Sequence, residues 1–388
     1  MDHPRRYDAI YRVGRVFTTA YMKLKYGYRT NKPPKSDGPY IVMANHTTEE
    51  DMFMVGAAFK KPMDFVVGEH LTRTKGGAKI FKYCEPIAIF KGSVATAPVR
   101  EIMRRVKDGR NIMIFPEGSR NFNGETEPVG AAAGKMVKAC RCGLYTYRTK
   151  GGYFMAPRWA KTFRKGHCEG EVVRYYSPEE LGKMSAEEIT AAINRDIYEN
   201  AHETQRQWMK PYKGKDLAEG IENYCIICPE CGSYDTLQSE GNTFRCGNCG
   251  LSGEYLETGF LKGEKLPFDN VLSWGRWQEK RFDEDMNKRA EDERLFTEEN
   301  LTLYEVSEDH VQTTLGTGTL HAYKDHLEML GNRWDFQVIP AMSMLYFGKT
   351  LLFMDGKRHL GITGEHFHAW KENRLWENCK KQEATRKG

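Results

Sequence analysis

Hydrophobic and polar positions follow three different patterns along the chain. Apolar residues recur at helical spacing between residues 7 and 25, and short apolar runs alternate with helical segments between residues 40 and 115. From about residue 301, short β-like runs follow one another between turns that contain glycine. The sequence therefore predicts an amphipathic amino-terminal helix, an α/β layer and a β-rich carboxyl-terminal region.

The predicted amino-terminal helix has two opposed faces. At 100° per residue, one arc holds Tyr7, Ile10, Val13, Phe17, Ala20, Tyr21 and Leu24. The opposite side holds Arg5, Arg12, Arg15 and Lys23. Such a helix either packs its apolar face on a folded domain or lies on an anionic lipid surface. The pattern leaves both interpretations open.

The alternating region predicts an α/β fold with a mixed or parallel sheet flanked by helices. Strands are predicted over residues 40–44, 64–67, 86–90 and 111–115, and helices over residues 49–59, 76–83, 96–108 and 130–140. A capping box at Ser185 opens a further helix that is predicted to run to about Trp208. Ligands of such sheets bind at the carboxyl ends of the strands.

The carboxyl-terminal region predicts short strands between Leu301 and Ile362, with a turn at Gly316 among others, and a closing helix over about residues 365–376. This pattern resembles small pleckstrin-homology-like or GRAM-like barrels. The charged stretch 277–299 predicts a surface helix or linker. The predicted units are an amino-terminal helix (1–30), an α/β domain (31–215), a metal-binding ribbon (221–258) and the β-rich domain (260–380).

Composition narrows the class of protein. The 388 residues suit two or three domains, and 40% hydrophobic and 29% charged residues are ordinary for a globular chain. The net charge of +5 is mild, and no nucleic-acid partner is expected. No apolar run is long enough for a membrane-spanning helix, and no secretory signal is expected. Ten cysteines then indicate thiols or metal ligands in a reducing, cytoplasmic compartment.

A histidine and a carboxylate stand where the first long strand gives way to a helix. His46 follows the run 40–44, and Asp51 comes five residues later. The imidazole can take a proton while the carboxylate fixes its tautomer. This pairing requires His46 before the helix and Asp51 in its first turn, with Thr48 as the N-cap. Alternatively, Asp51 only closes a capping box with Thr48, and His46 is a turn residue.

A second motif, Phe115-Pro116-Glu117-Gly118-Ser119-Arg120, follows the strand at 111–115. Together with the block from Asn45 to Asp51, it resembles the glycerolipid acyltransferase family of the lysophosphatidic acid acyltransferase type. The family's middle block usually ends in Arg, where Ile87-Ala88-Ile89-Phe90-Lys91 ends in Lys, and its fourth block is matched only loosely by residues 154–159. The resemblance covers roughly residues 1–210.

The resemblance implies an enzyme that transfers an acyl group to 1-acyl-sn-glycerol 3-phosphate and forms phosphatidate. The acyl donor would be acyl-CoA or an acyl carrier protein thioester, and no catalytic cofactor is expected. His46 would act as base and Asp51 would orient it. Lys91 and Arg120 would bind the acceptor phosphate, Glu117 would contact the glycerol or shape the turn, and Gly118 would let substrate approach the backbone closely.

Two Cys-x2-Cys pairs predict a zinc ribbon. Cys228 and Cys231 form the first pair, Cys246 and Cys249 form the second, and each pair is followed by Gly. Four thiolates suit tetrahedral Zn²⁺, and a closed site of four cysteines is structural. Cys225 could compete as a ligand, but it lacks a following Gly.

The sequence leaves two classes of function open. The favoured one is an acyltransferase with a lysophospholipid acceptor, peripherally associated with an anionic membrane surface from the cytoplasm. The alternative is a catalytically inactive lipid-surface or scaffold protein that keeps the acyltransferase fold. The zinc ribbon and the carboxyl-terminal domain motivate this alternative, because acyl transfer does not require them.

Overall fold

The computed structural model describes residues 3–36, 38–74, 76, 79, 83–93 and 96–387. Most of the helix predicted over residues 76–83 lies outside the described residues. The elements up to residue 208 are α1 (His3–Tyr26), β1 (Arg29–Thr30), β2 (Tyr40–Ala44), α2 (Asp51–Ala58), β3 (Met63–Gly68), a 3-10 turn (Glu69–Arg73), β4 (Ile87–Ile89), α3 (Ala97–Lys107), β5 (Asn111–Ile114), α4 (Ala132–Cys140), β6 (Gly143–Lys150), α5 (Gly152–Met155), β7 (Glu169–Tyr176), α6 (Pro178–Lys183), α7 (Ala186–Ile197) and α8 (Ala201–Trp208).

The first seven strands form one mixed sheet in the order β1-β7-β6-β2-β5-β3-β4. The central pairs β2–β5, β2–β6, β3–β5 and β3–β4 are parallel, and β6–β7 is antiparallel. The all-buried runs of β2 and β5 suit strands covered on both faces. Because β2 and β5 are parallel neighbours, the two sequence motifs that follow them meet at one edge of the sheet. The predicted α/β fold is confirmed for this region.

Two predicted helices differ from the observed ones. The helix predicted over residues 49–59 begins at Asp51, and Thr48 accepts the N–H of Glu50 in the turn before it. The helix predicted from Ser185 to Trp208 has its capping box at Ser185 but is interrupted after Ile197. Asn200 starts a second helix there by accepting two backbone N–H groups, which fits its preference for N-caps.

Helix α1 packs on the sheet domain with a face that shares only Tyr7 with the predicted apolar arc. Its buried side chains are Tyr7, Tyr11, Met22 and Tyr26. Arg15 donates from Nε and Nη2 to the carbonyls of Gly56 and Ala57, which caps the last turn of α2. The large apolar side chains that remain exposed are Ile10, Val13, Val16, Phe17, Tyr21 and Leu24.

The rest of the chain forms two antiparallel sheets and two long helices. The elements are a 3-10 turn (Ile221–Asn223), β8 (Leu237–Glu240), β9 (Thr243–Cys246), β10 (Ser252–Tyr255), β11 (Leu261–Lys262), α9 (Val271–Asn287), β12 (Phe296–Val306), β13 (Gln312–Ala322), β14 (His326–Met329), β15 (Asn332–Asp335), β16 (Met342–Leu345), a 3-10 turn (Tyr346–Gly348), β17 (Thr350–Asp355), β18 (Arg358–Thr363) and α10 (Trp370–Lys387). Strands β12–β18 form a sheet in the order β15-β14-β13-β12-β18-β17-β16, here called the carboxyl-terminal sheet.

Three predictions for this half differ in part from the structure. Gly316 lies inside β13 rather than in a turn, because Gly316 and Gly318 leave space for the side chain of Leu330. The closing helix begins at Trp370 and runs past residue 376. The charged stretch 277–299 is the end of α9 as far as Asn287, where Phe282 is buried, and from Phe296 it is the start of β12.

One hydrophobic core joins the ribbon, α9 and the carboxyl-terminal sheet. It extends from Trp159 of the α/β region through Ile227 and Trp274 to Leu351 and Leu375. Trp274 donates from its indole nitrogen to the carbonyl of Ile227, 2.9 Å away, so the ribbon is fixed to α9. The second half of the chain is therefore packed as a unit with the α/β region.

Candidate active site

The loop after β2 brings His46 and Asp51 together as a hydrogen-bonded pair. His46 Nδ1 lies 3.0 Å from Asp51 Oδ2, and the imidazole stacks on the ring of Phe115 with centroids 4.1 Å apart. A carboxylate only accepts, so Nδ1 carries the proton and Nε2 keeps its lone pair. Burial lowers the pKa of His46, although the hydrogen bond and charge of Asp51 oppose this shift. His46 is therefore neutral at pH 7 and able to accept a proton.

Asp51 is fully buried at the start of α2. Its Oδ2 accepts the backbone N–H groups of Thr47 (2.5 Å) and Thr48 (2.9 Å), and its Oδ1 accepts the Thr47 hydroxyl (3.1 Å). The hydrogen bond from the Thr48 N–H to Asp51 is one half of the capping box that the sequence offered as an alternative. Asp51 therefore closes the turn and also bonds to His46. These donors, with the first turn of the helix, stabilise the carboxylate in one orientation.

Glu117 connects the second motif to the first. Its Oε1 accepts the N–H of His46 at 2.5 Å, and its Oε2 accepts the N–H of Glu127 at 2.9 Å. Burial raises the pKa of Glu117 to about 8. Of the two roles considered for this residue, these contacts support shaping the turn. Gly118 has a φ of 72°, and a side chain there would have no near neighbour, so backbone conformation requires this glycine.

Lys91 and Arg120 lie close enough to the base to affect it. The charges of both side chains lower the pKa of His46 further. Lys91 Nζ donates to Ser119 Oγ at 2.9 Å, and Arg120 Nη2 donates to Glu49 Oε1 at 3.1 Å. Burial lowers the pKa of Lys91 to about 7, with the charges of Arg158 and Arg120 adding to the shift.

Arg158 belongs to the same cationic group, and the sequence reasoning missed it. Its Nη1 donates to the carbonyl of Arg120 at 2.8 Å, and its guanidinium lies 4.0 Å from the centroid of the Phe122 ring. Burial lowers its pKa to about 9, and the charge of Arg120 contributes. In the described part of the chain, neither Lys91 nor Arg158 has a carboxylate partner. In the sequence, Arg158 was visible only as one residue of the segment 154–159, which matches the family's fourth block loosely.

The four predicted metal ligands form a group of their own. The Sγ atoms of Cys228, Cys231, Cys246 and Cys249 all lie within 4.8 Å of one another. The pairs 228–249 and 231–246 are 3.7 and 3.8 Å apart. A tetrahedral ion with Zn–S bonds of about 2.3 Å requires sulfur atoms roughly 3.8 Å apart. The residues therefore fit Zn²⁺, whereas Cys225 is buried outside the group.

A glycine follows each pair of thiols in a tight turn. Gly232 and Gly250 have φ values of 70° and 78°, and each donates its N–H to the carbonyl of the first cysteine of its pair. Positive φ at both positions favours glycine.

One family model matches part of the α/β region. Residues 24–150 match the family model described as Acyltransferase. A search of curated proteins gives no match to the chain. Among solved structures, the chain is similar to a 1-acyl-sn-glycerophosphate (LPA) acyltransferase, PlsC, from Thermotoga maritima. That likeness has a TM-score of 0.46 and 19% identity, and it covers 53% of this chain and 84% of that one.

The matched segment contains the two motifs that meet at the sheet edge. It spans His46 and Asp51 as well as Lys91 and the turn from Glu117 to Arg120. Within the described residues, no helix combines the length and apolar character that crossing a membrane requires.

Proposed function

We propose that this chain, whose residues 24–150 match the Acyltransferase family model, transfers a fatty acyl group from an acyl thioester to the free hydroxyl of a lysophospholipid. The proposed acceptor is 1-acyl-sn-glycerol 3-phosphate, and the product is phosphatidate. The donor is acyl-CoA or an acyl carrier protein thioester. The observation that carries the proposal is the neutral His46, held by a buried Asp51, beside cations of which Lys91 and Arg158 have no carboxylate partner among the described residues.

In the proposed reaction, Nε2 of His46 takes the proton of the acceptor hydroxyl as its oxygen attacks the thioester carbonyl carbon. Asp51 stabilises the imidazolium that forms. The C–S bond then breaks, and the imidazolium returns its proton to the departing thiolate sulfur. The products are the new ester and the free thiol of the carrier, and the base is regenerated.

The acceptor phosphate is proposed to bind at Lys91 and Arg120. Buried cations without carboxylates are costly, and a phosphate dianion would offset this cost through charge-assisted hydrogen bonds. The exposed Glu49 that now pairs with Arg120 is a weak partner, because solvent screens such a pair.

The enzyme is further proposed to reach its lipid acceptor as a peripheral protein on the cytoplasmic side of a membrane. The exposed apolar side chains of α1, with Arg12 and Lys23 beside them, suit the interface of an anionic bilayer. The zinc in this proposal is structural, because four thiolates leave no open coordination position for substrate.

The test is an assay of purified protein with lysophosphatidate and either acyl-CoA or acyl carrier protein thioesters. The wild type should form phosphatidate with at least one donor, and His46→Ala should abolish turnover while it keeps the fold. Absence of product with every donor would reject the proposed activity. An active His46→Ala protein would place the base elsewhere.

Arg120→Ala separates phosphate recognition from catalysis. Loss of a charge-assisted contact is worth roughly 1.5–3 kcal/mol, so the KM for lysophosphatidate should rise about 10- to 100-fold. The KM for a monoacylglycerol acceptor without phosphate should change little. Equal rises for both acceptors would remove Arg120 from the phosphate site.

A further inference from the structure

The carboxyl-terminal sheet touches the candidate site at the segment that carries Lys91. His359 on β18 lies with Nε2 2.6 Å from the carbonyl oxygen of Lys91. Gly92 sits directly against Leu352 on β17, where an added Cβ would lie 2.5 Å from a backbone oxygen. The ring of Phe90 contacts the imidazole of His359, with centroids 5.0 Å apart. The backbone on both sides of Lys91 is therefore held by strands from the end of the chain.

Arg158 makes the equivalent connection for the second motif. One side of its guanidinium donates to the carbonyl of Arg120, and the other donates to the carbonyl of Met344 on β16. The side chain is buried, so each of these hydrogen bonds replaces water that the guanidinium has lost. Both proposed phosphate ligands, Lys91 and Arg120, thus have their backbones fixed to the carboxyl-terminal sheet.

The turn after β16 presents two aromatic side chains beside this junction. Tyr346 and Phe347 have φ values of 47° and 62°, which are uncommon for bulky residues. They remain 48% and 41% exposed rather than joining the core beneath them. Both aromatic rings are therefore available at the surface to contact a ligand.

His70 lies between Tyr346 and the cations. The rings of Tyr346 and His70 meet edge to face, with centroids 6.1 Å apart. A Cβ built on Gly68 would touch both the His70 ring, at 2.5 Å, and Lys91 Cε, at 3.3 Å, so the two side chains are neighbours. Leu71, in the next position, is also exposed. An apolar surface therefore begins where the proposed phosphate site ends.

We propose that the carboxyl-terminal sheet forms one wall of the acceptor site, and that Tyr346 and Phe347 contact the hydrocarbon chain of the lysophospholipid. This inference rests on the proposed function. A phosphate bound at Lys91 and Arg120 would place the rest of its molecule within reach of the turn. The aromatic side chains make these positions determinants of acceptor chain length, outside the segment that the family model matches.

The test substitutes Tyr346→Asn and Phe347→Asn, singly and together. Asn tolerates positive φ, so the turn is kept while the apolar surface is lost. Leu330→Asn is the matched control, because Leu330 also has a positive φ, of 51°, and is 46% exposed. It lies in the β14–β15 turn, at the opposite edge of the same sheet.

The KM for an oleoyl lysophosphatidate should rise about tenfold in the double variant, as expected for loss of apolar contact. The KM for a hexanoyl lysophosphatidate, the KM for the donor and the kinetics of the Leu330 control should stay within about twofold of the wild type. Equal rises for both acceptors, a rise for the donor alone or no change would overturn the inference. It would also be overturned if vesicle binding fell while binding of the monomeric acceptor did not.

Direct binding separates this inference from the proposed activity. Calorimetry with oleoyl lysophosphatidate below its micelle concentration needs no donor and no turnover. Suppose that the wild type binds this ligand without forming product, and that the double variant binds it about tenfold more weakly. The proposed catalysis is then rejected, and the proposed contact between the carboxyl-terminal sheet and the acceptor is supported. If the wild type and the double variant bind it equally, the proposed contact of Tyr346 and Phe347 with the acceptor is rejected, even if turnover is observed.

Discussion

At the scale of single residues, the base and its orienting group have opposite surroundings. Burial removes water from His46 and lowers its pKa, whereas Asp51 receives three hydrogen bonds from the turn that follows the strand. The result is a neutral imidazole whose orientation is fixed by a carboxylate that does not need to move. This is the arrangement that proton transfer at neutral pH requires.

Asp51→Asn should lower kcat on the order of a hundredfold and move its pH dependence. The hydrogen bond and charge of Asp51 raise the pKa of His46 against the larger effect of burial. Their loss should therefore shift the acid limb of kcat/KM to lower pH, while the maximum rate falls. A pH–rate profile measures both effects. An unshifted limb would show that another group controls it.

In the pH profile of kcat/KM, deprotonation of Lys91 should produce an alkaline limb near pH 7. Its pKa is about 7, because burial and the facing charges of Arg158 and Arg120 disfavour the ammonium. As the pH rises through this value the charge is lost, so kcat/KM for a phosphate-bearing acceptor should fall. Lys91→Arg keeps its charge, and the fall should disappear in that variant. A limb that persists in Lys91→Arg would belong to another group.

The sequence was sufficient for the residues that stand in continuous motifs at strand ends. His46 and Asp51 were predicted from their place after a buried strand, and the turn from Glu117 to Arg120 from the family that its motif resembles. Arg158 could not be assigned in the same way. Its partner Met344 is 186 positions away, and no local pattern predicts which carbonyl a lone arginine will meet.

At the scale of elements, α1 presents two apolar faces, and only one of them is packed. Tyr7, Tyr11 and Met22 are buried on the α/β domain, while Phe17 and Leu24 remain 71% and 84% exposed. Helical periodicity predicted the helix but not which face would pack, because tyrosines and a methionine form a second apolar arc. Deleting this helix would expose buried tyrosines, so point substitutions give a cleaner test of membrane contact.

The variant Val13→Ser, Val16→Ser, Phe17→Ser and Leu24→Ser should weaken binding to anionic vesicles on the order of a hundredfold. Partial burial of these side chains in the lipid interface is worth a few kcal/mol at about 25 cal/mol/Å². Ala9→Ser with Ala20→Ser is the matched control, because both alanines are exposed on the same helix. Vesicle cosedimentation, with circular dichroism to check folding, measures the difference. Unchanged binding in the fourfold variant would place the membrane contact elsewhere.

At the scale of the whole molecule, the ribbon is part of the largest core. Cys228 and Cys246 are buried in the same hydrophobic cluster as Trp274 and Leu351, while Cys231 and Cys249 face solvent. Metal binding at these thiols should therefore stabilise the carboxyl-terminal sheet as well as the ribbon. The predicted domain boundaries stay a prediction. The shared core includes residues from several of the predicted units.

Cys249→Ser should remove the metal without opening a cavity, because this thiol is exposed. We expect loss of about one Zn²⁺ per chain and a fall in melting temperature on the order of 5 °C or more. Cys140→Ser is the control, since Cys140 lies outside the four-thiol group. Metal analysis and thermal unfolding provide the measurements. A wild type that contains no zinc and melts like the variant would contradict the prediction.

The contact between Lys91 and His359 has a consequence for the order of events during synthesis. The two residues are 268 positions apart, so the ribosome makes the segment around Lys91 long before the strand that supports it. At about 5–20 residues per second, the delay is roughly a quarter of a minute to a minute. Throughout this interval the nascent chain already contains both motifs, but the carboxyl-terminal sheet that contacts the Lys91 segment has not been made. Acceptor binding should therefore begin only when the last strands have been made and have folded.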